Sequence, residues 1–187
     1  FFYEEGQNCK QDCAQAIKYY TLSANQGHRS AQCNLARLYV WGNDWEKDSV
    51  LAFHYFKLAA DQGDQDAQYA LGNFYAADGE QKNFALSLHY YKLAADQGNA
   101  EAQFRVALLS AKGEGCVQDS ALAFHYYKLA ADQGYRESQY NTGILYDTGE
   151  GCEQNPALAF YYYKLAAGQG YREAQYKVGK MLHKNQL

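Results

Sequence analysis

The chain has 187 residues, 48% of them hydrophobic, which is enough to bury a core as one domain or as one repeat array. Seventeen Lys and Arg against 21 Asp and Glu residues give a formal net charge of -4, so no broad basic field attracts nucleic acid. Lys, Asp or Gln interrupts every apolar stretch within about ten positions, whereas a membrane-spanning helix needs about 20 apolar residues. We therefore expect neither a nucleic-acid partner nor a membrane span.

The cysteines, and not the first residues, bear on the cellular compartment. Residues 1–6 contain no Met, no basic segment and no apolar run, so they do not form a signal peptide. The number of cysteines is odd and they do not recur in regular pairs, which favours free thiols and a reducing compartment. These cysteines are Cys9, Cys13, Cys33, Cys116 and Cys152. The unpaired cysteines alone favour a cytoplasmic protein, with a secreted effector as the alternative, and the sequence does not determine the localisation.

An internal repeat dominates the sequence. The dipeptide Gln-Gly recurs five times, and its glycines are separated by 36, 35, 36 and 36 residues. The residues before each glycine are almost identical between copies, as in the block from His125 to Ala131. The glycines are Gly27, Gly63, Gly98, Gly134 and Gly170.

The first half of each repeat predicts a helix, named helix A here. Fifteen residues before each glycine stands Asp or Asn, whose short side chain accepts hydrogen bonds from the free amides of a helix start. These predicted N-caps are Asp12, Asp48, Asn83, Asp119 and Asn155. Pro156 follows Asn155 at the first helical position, where proline is tolerated. Helix A is predicted to end at the repeat glycine, which adopts the left-handed conformation easily.

The second half of each repeat predicts helix B, which begins about four residues after the glycine. A small residue recurs in the middle of this helix, where glycine costs about 1 kcal/mol relative to alanine, so close helix packing is expected there. The small residues are Ala36, Gly72, Ala107, Gly143 and Gly179. Glycine-rich segments such as 113–116 and 149–152 are predicted to connect the repeats.

These residues resemble the Sel-1-like repeat family, a relative of the tetratricopeptide repeats, over essentially the whole chain. The resemblance implies an all-α, right-handed superhelical solenoid of five helix-turn-helix repeats, forming a single array over residues 1–187. The expected repeats span about 12–47, 48–82, 83–118, 119–154 and 155–187. Residues 3–12 align with residues 146–155, so residues 1–11 are expected to end a preceding repeat, with further repeats upstream.

The resemblance implies a scaffold or adaptor that binds a partner protein or peptide on the concave face, with helix B lining that face. We call the equivalent positions of successive repeats a column. In helix B an acidic column and an aromatic column lie one helical turn apart, so a partner with basic and apolar anchors is expected. The predicted contact residues are Asp66, Tyr69, Asn73, Glu101, Phe104, Glu137, Tyr140, Ile144, Glu173 and Tyr176. The alternative interpretation is that the aromatic column, which Cys33 begins, packs sideways between helices.

The recurring tyrosine pairs and lysines of helix A and the connector cysteines are predicted to lie in the core or on the surface without a binding role. Adjacent helical positions point about 100° apart, so one tyrosine of a pair such as Tyr126-Tyr127 packs in the core while its neighbour is half exposed. The recurring Lys of helix A indicates a solvated face. Cys116 and Cys152 occupy the same connector position in adjacent repeats, beyond the reach of about 7 Å that a disulfide allows, so free thiols are expected.

No cofactor or metal is expected. His54, His89 and His125 recur at a repeat spacing of about 10 Å, too far apart to share a zinc ion. Cys9 and Cys13 stand four residues apart, but Cys9 is predicted to lie in a connector.

We expect no enzyme activity. Some cysteine-rich relatives in the resembled family have been associated with binding or hydrolysing β-lactams. This sequence has no Ser-x-x-Lys, Gly-x-Ser-x-Gly or His-Glu-x-x-His motif. The remaining alternative is a structural spacer, or a module that self-associates through exposed repeat ends.

Overall fold

A computed structural model describes residues 9–42, 47–77, 79 and 82–184, without the side chains of residues 9–13 and 184. These residues form ten helices and no strand. The A helices are α1 (Cys9–Asn25), α3 (Ser49–Asp61), α5 (Phe84–Asp96), α7 (Ser120–Asp132) and α9 (Pro156–Gly168). The B helices are α2 (Arg29–Trp41), α4 (Gln65–Ala76), α6 (Ala100–Lys112), α8 (Arg136–Thr148) and α10 (Arg172–Lys184). None of these helices is both long and apolar enough to cross a membrane.

The chain divides into two compact units, residues 1–74 and residues 75–187. In the first unit α1 packs on α2 and α2 packs on α3. In the second unit each helix from α5 to α10 packs on the next one along the chain. The all-α repeat architecture predicted from the sequence is therefore confirmed.

The predicted caps of helix A are confirmed in four repeats. The side chains of Asp48, Asn83, Asp119 and Asn155 each accept a hydrogen bond from an amide in the first turn. The prediction for Asp12 is wrong, because α1 begins three residues earlier.

The same correction applies to Cys9, which is the first residue of α1 rather than part of a connector. Asn8 stands where later connectors have Gly115 and Gly151, so no glycine interrupts the chain just before the cap position. The side chains of Cys9 and Cys13, including the predicted spacing of their thiols, lie outside the described residues.

Helix A ends in a left-handed glycine, as predicted. Gly63 has φ +84°, its amide donates to the Ala60 carbonyl, and the Asp64 amide donates to the Ala59 carbonyl at 3.0 Å. This pair of bonds is a Schellman motif, which satisfies carbonyls at the helix end. The other four repeat glycines also have positive φ values.

Helix B begins two residues after the repeat glycine, which is earlier than predicted. The residue directly after the glycine is the reason, because its side chain caps the helix in the first three repeats. His28, Asp64 and Asn99 accept hydrogen bonds from the amides of Ala31, Ala67 and Ala102.

A buried glutamine in each of the helices α2, α6 and α8 joins the A helices on either side of it. In α8, Gln139 is buried, and its Nε2 donates to the Ala131 carbonyl of α7 at 3.3 Å. Its Oε1 accepts a bond of 2.8 Å from Gln169 Nε2, just beyond α9. The same inter-repeat bond joins Gln62 to Gln32 and Gln133 to Gln103. These bonds satisfy polar groups that are costly to bury alone, and they set the register between repeats.

The tyrosine pairs of helix A pack in the core, as predicted. Tyr127 is buried and Tyr126 is half-buried, whereas the expected half exposure of one tyrosine is wrong for Tyr90-Tyr91 and Tyr162-Tyr163, because both members of these pairs are buried. The first tyrosine of the pair also bonds to the preceding A helix: Tyr126 Oη donates to Asp96 at 3.2 Å, and Tyr162 Oη donates to Asp132 at 2.9 Å. These bonds place α5, α7 and α9 side by side.

Candidate partner-binding surface

The ten predicted contact residues all lie on B helices, three or four residues apart, so those of one helix share a face. We name this face of each helix the B-face, and we add two equivalent positions that sequence reasoning left out, Leu108 and Lys180. The B-face consists of Asp66, Tyr69 and Asn73 in α4, Glu101, Phe104 and Leu108 in α6, Glu137, Tyr140 and Ile144 in α8, and Glu173, Tyr176 and Lys180 in α10.

In the first unit the B-face of α4 is largely polar. Asp66 and Asn73 are exposed, and Tyr69 is half-buried. Arg37 of α2 donates to Asp66 at 2.7 Å. Both partners of this ion pair are exposed, so it adds at most about 1 kcal/mol to stability and leaves the carboxylate accessible to a competing cation.

Cys33, which begins the aromatic column, is buried in α2. Its burial, together with the Asp64 carboxylate, raises the pKa of its thiol to about 12. The thiol therefore stays protonated and unreactive near neutral pH, and it presents no surface to a partner.

In α6 the aromatic residue of the B-face is half-buried and held from two sides. The ring centroid of Phe104 lies 5.8 Å from that of Tyr127 in α7 and 5.3 Å from that of Tyr135 at the start of the next B helix. Leu108, one turn further along, is also half-buried, and Glu101 is exposed. Ring packing between helices thus fixes Phe104 while part of its surface remains open.

The same arrangement recurs in α8. The ring of Tyr140 lies 5.7 Å from Tyr163 and 4.9 Å from Tyr171, centroid to centroid. Arg136 stacks its guanidinium 5.5 Å from the Tyr171 centroid and donates to Glu137 at 2.9 Å. Arg136 therefore links Glu137 of the acidic column to Tyr171, the ring that packs on Tyr140.

Sequence reasoning missed Tyr135 and Tyr171. These residues directly follow the repeat glycine, where earlier repeats have the caps His28, Asp64 and Asn99. Tyr135 makes no side-chain capping bond, so ring packing takes the place of the cap. The signal was present in the sequence, because an aromatic residue follows Gln-Gly only in the last two repeats.

In α10 the aromatic residue is open. Tyr176 is 69% exposed, and Glu173 is exposed as well. The neighbouring Lys177 is engaged, since its Nζ lies 3.7 Å from Asp147 and 5.7 Å from the Tyr163 ring centroid. No helix among the described residues covers Tyr176 in the way that α9 and Tyr171 cover Tyr140.

The histidine and cysteine columns form no metal site in the described part of the chain. The rings of His89 and His125 contact the edges of Tyr90 and Tyr126 at 5.2 Å. No group of three or more His, Cys, Asp or Glu residues in the described part is placed to hold a metal ion. Cys116 and Cys152 are free and half-buried.

Paired helices that repeat every 35 or 36 residues, joined by the same buried glutamine bonds, define an α-helical repeat protein. The sequence model of the Sel1 repeat matches residues 1–28, 29–64, 65–99, 100–135, 136–171 and 172–186. The chain belongs to the Sel1 repeat family. Proteins of this family generally mediate protein–protein interactions and are usually not enzymes.

Solved structures agree with this assignment. A protective antigen of uropathogenic Escherichia coli strains is similar with a TM-score of 0.84 and 31% identity, over 90% of this chain and 36% of that one. A Sel1 repeat protein from Oxalobacter formigenes has a TM-score of 0.74 and 29% identity, over 87% of this chain and 65% of that one. An immunity protein from Pseudomonas aeruginosa has a TM-score of 0.51 and 28% identity, over 86% of this chain and 58% of that one.

The chain therefore spans little more than a third of the first of these proteins and less than two thirds of the other two. No curated protein matches the sequence.

Proposed function

We propose that this chain is a non-enzymatic scaffold that binds a partner protein or peptide along the B-face, the surface that the resemblance to tetratricopeptide arrays implies on the concave side of the array. The observation that carries the proposal is the repeated triplet of the second unit. Glu101, Phe104 and Leu108 recur one repeat later as Glu137, Tyr140 and Ile144, each an acid, an aromatic and an aliphatic residue on one helix face.

The fixed position of the aromatic rings supports this proposal. Phe104 and Tyr140 are each packed against two tyrosines, so their orientation is set before any partner arrives. A rigid aromatic anchor loses little conformational entropy when it binds, and this lowers the cost of association. Successive repeats would present such anchors about 10 Å apart, a spacing that an extended peptide can follow.

The charges favour a partner that carries Lys or Arg beside its apolar anchors. Glu101 and Glu173 are exposed carboxylates at the edge of the triplets, and Glu137 is half-buried beside Arg136. Rim carboxylates of this kind steer a basic partner and fix its register more than they add affinity.

Charge reversal tests this proposal more cleanly than alanine substitution, because Tyr140 packs against two other rings and its truncation would loosen the fold. The B-face variant is Glu101→Lys with Glu173→Lys. The matched control is Glu114→Lys with Glu153→Lys, which makes the same change of charge in the connectors. The immobilised proteins are compared for the set of proteins that each one retains from a lysate, and circular dichroism checks that all three are helical.

A partner retained by the wild type and the connector control, and lost by the B-face variant, is the expected result. Equal retention by all three proteins would place the binding surface elsewhere. Failure of the wild type to retain any protein would favour the alternative, a structural spacer or a module that self-associates through repeat ends. The open ring of Tyr176 in α10 is the observation that favours end-to-end association.

Turnover of a β-lactam by the purified chain would contradict the non-enzymatic proposal and support the remote alternative of a β-lactam-binding or hydrolysing enzyme.

A further inference from the structure

The A helices of the second unit carry an exposed stripe that the B-face proposal does not use. Each has an aliphatic residue, then a histidine or tyrosine three positions later, then a second leucine four positions after that. These positions lie within about 60° of one another around a helix. We name the whole surface the A-face: Leu86, His89 and Leu93 in α5, Leu122, His125 and Leu129 in α7, and Leu158, Tyr161 and Leu165 in α9.

Much of the A-face is open to solvent, although most of its residues are apolar. Leu86, Leu93, Leu129 and Leu158 are each between 37% and 39% exposed, and Tyr161 is 53% exposed. The bonds from Tyr126 to Asp96 and from Tyr162 to Asp132 hold the three helices side by side, so the stripes form one surface. Contiguous exposed apolar surface of this kind marks an interaction site.

We propose that the A-face binds the A-face of a second copy of this chain, forming a dimer with twofold symmetry. In such an isologous interface the same surface meets itself, so it must not carry a net charge that repels its own copy. The charged residues of α7 are Lys128 and Asp132, which form an ion pair of 2.6 Å. Helix α5 carries one Lys and one Asp, and α9 carries a single Lys. The surface thus meets this requirement.

The three stripes carry equivalent residues at equivalent heights, which lets the A-face pair with itself. A twofold axis that lies in the plane of the A-face and runs along α7 turns the second copy over and keeps its helix direction, so α7 meets α7 and α5 meets α9. In this parallel register the leucines of one helix lie opposite the leucines of the other. His89 then faces Tyr161 of the second copy, and His125 lies at the axis facing itself.

The size of the surface agrees with a modest dimer interface. A helix of 13 residues is about 20 Å long, and three such helices spaced by about 10 Å cover roughly 600 Å². Two copies would therefore bury about 1,200 Å², which is the lower end of the range for specific protein interfaces. The exposed ring of Tyr161 is of the residue type that most often anchors such interfaces.

Sedimentation equilibrium over a concentration series tests the proposal. The wild type is expected to approach twice the monomer mass as its concentration rises. Leu129→Glu would bury an unpaired carboxylate near the axis in each copy, so its dimer dissociation constant should rise roughly a hundredfold or more. Val117→Glu makes the same kind of change at an 89% exposed connector residue, and it should dimerise like the wild type. Circular dichroism confirms that both variants fold.

Cross-linking then tests the symmetry. His125→Cys should give a covalent dimer when it is oxidised by copper phenanthroline in air, whereas His89→Cys should give no more than the wild type, because its opposite residue is Tyr161. A wild type that stays monomeric at every concentration would overturn the proposal. So would a Leu129→Glu variant that dimerises like the wild type, or equal cross-linking of the two cysteine variants. These outcomes leave the B-face proposal untouched, because that proposal concerns the other set of helices.

Discussion

The ring of Tyr163 lies directly on Gly143, so closely that a Cβ atom at Gly143 would stand 2.7 Å from the Cδ1 atom of that ring. Tyr163 is fully buried in α9, and Gly143 is buried in the middle of α8. The contact explains why a residue unfavourable in helices occupies this position: its absent side chain lets the next A helix approach.

Replacement of Gly143 by Ala should therefore destabilise the protein. Overpacking costs about 1–3 kcal/mol and the helix propensity of alanine returns up to about 1 kcal/mol, so we expect a net loss of about 1 kcal/mol in the free energy of unfolding. Urea denaturation followed by circular dichroism measures it. Gly179→Ala is the matched control in the same column, because no atom lies within 4 Å of its added Cβ, and it should stabilise α10. Equal effects of the two substitutions would contradict this account.

The buried glutamine of α8 should be needed for the stability of the repeat stack. Gln139→Leu keeps much of the side-chain volume but removes two hydrogen bonds, the one from Gln169 and the one to the Ala131 carbonyl. Both of those groups keep a bond to Gly134, so we expect a loss of about 1–3 kcal/mol from the two bonds together. Gln175 provides the control. It is exposed, and among the described residues its side chain bonds only to the Ala167 carbonyl at 3.3 Å, so Gln175→Leu should change stability by about 0.5 kcal/mol or less. A similar loss in both variants would show that the inter-repeat bond is not the cause.

Two hydroxyl groups in α8 should be dispensable. Ser138 and Thr142 are fully buried, and their hydroxyl oxygens have no hydrogen-bond partner among the described residues. Other repeats have Ala and Leu or Val at these positions. Ser138→Ala and Thr142→Val should each stabilise the protein by about 1 kcal/mol, which thermal or urea unfolding would detect. Thr148→Val, at an exposed position of the same helix, should stay within about 0.5 kcal/mol of the wild type.

Burial of Tyr127 should make the protein sensitive to alkali. Burial raises the pKa of this phenol to about 12, whereas an unfolded tyrosine has a pKa of about 10. The unfolded state therefore loses its proton first. The stability that comes from keeping the phenol neutral is complete below pH about 10 and is lost as the pH rises through about 12.

The variant Tyr127→Phe cannot ionise at this position. Its free energy of unfolding relative to the wild type should be constant below pH about 10. Above that pH the difference should move in favour of the variant, by roughly 2–3 kcal/mol at most. Urea midpoints at a series of pH values provide the measurement. A difference that does not change across this range would show that Tyr127 is accessible to hydroxide in the folded state.

The sequence by itself determined the helices, their order and most of their ends. The reason is that these features depend on local chemistry: an Asp or Asn side chain caps the amides beside it, and a glycine after helix A adopts a left-handed conformation that other residues avoid. Local reasoning failed at Asp12, where no glycine precedes the cap position, and at the start of helix B, where the cap stands next to the glycine.

Only the tertiary structure decided which side chains join one repeat to the next. The bond from Gln169 to Gln139 and the packing of Tyr171 on Tyr140 connect residues about 30 positions apart, and the repeat pattern does not distinguish a buried partner from an exposed one. The same holds for the aromatic column of the B-face, which begins at the buried Cys33 and ends at the exposed Tyr176. The exposure of these two side chains differs because it depends on which helices cover each position. The spacing of residues along the chain does not indicate which helices those are.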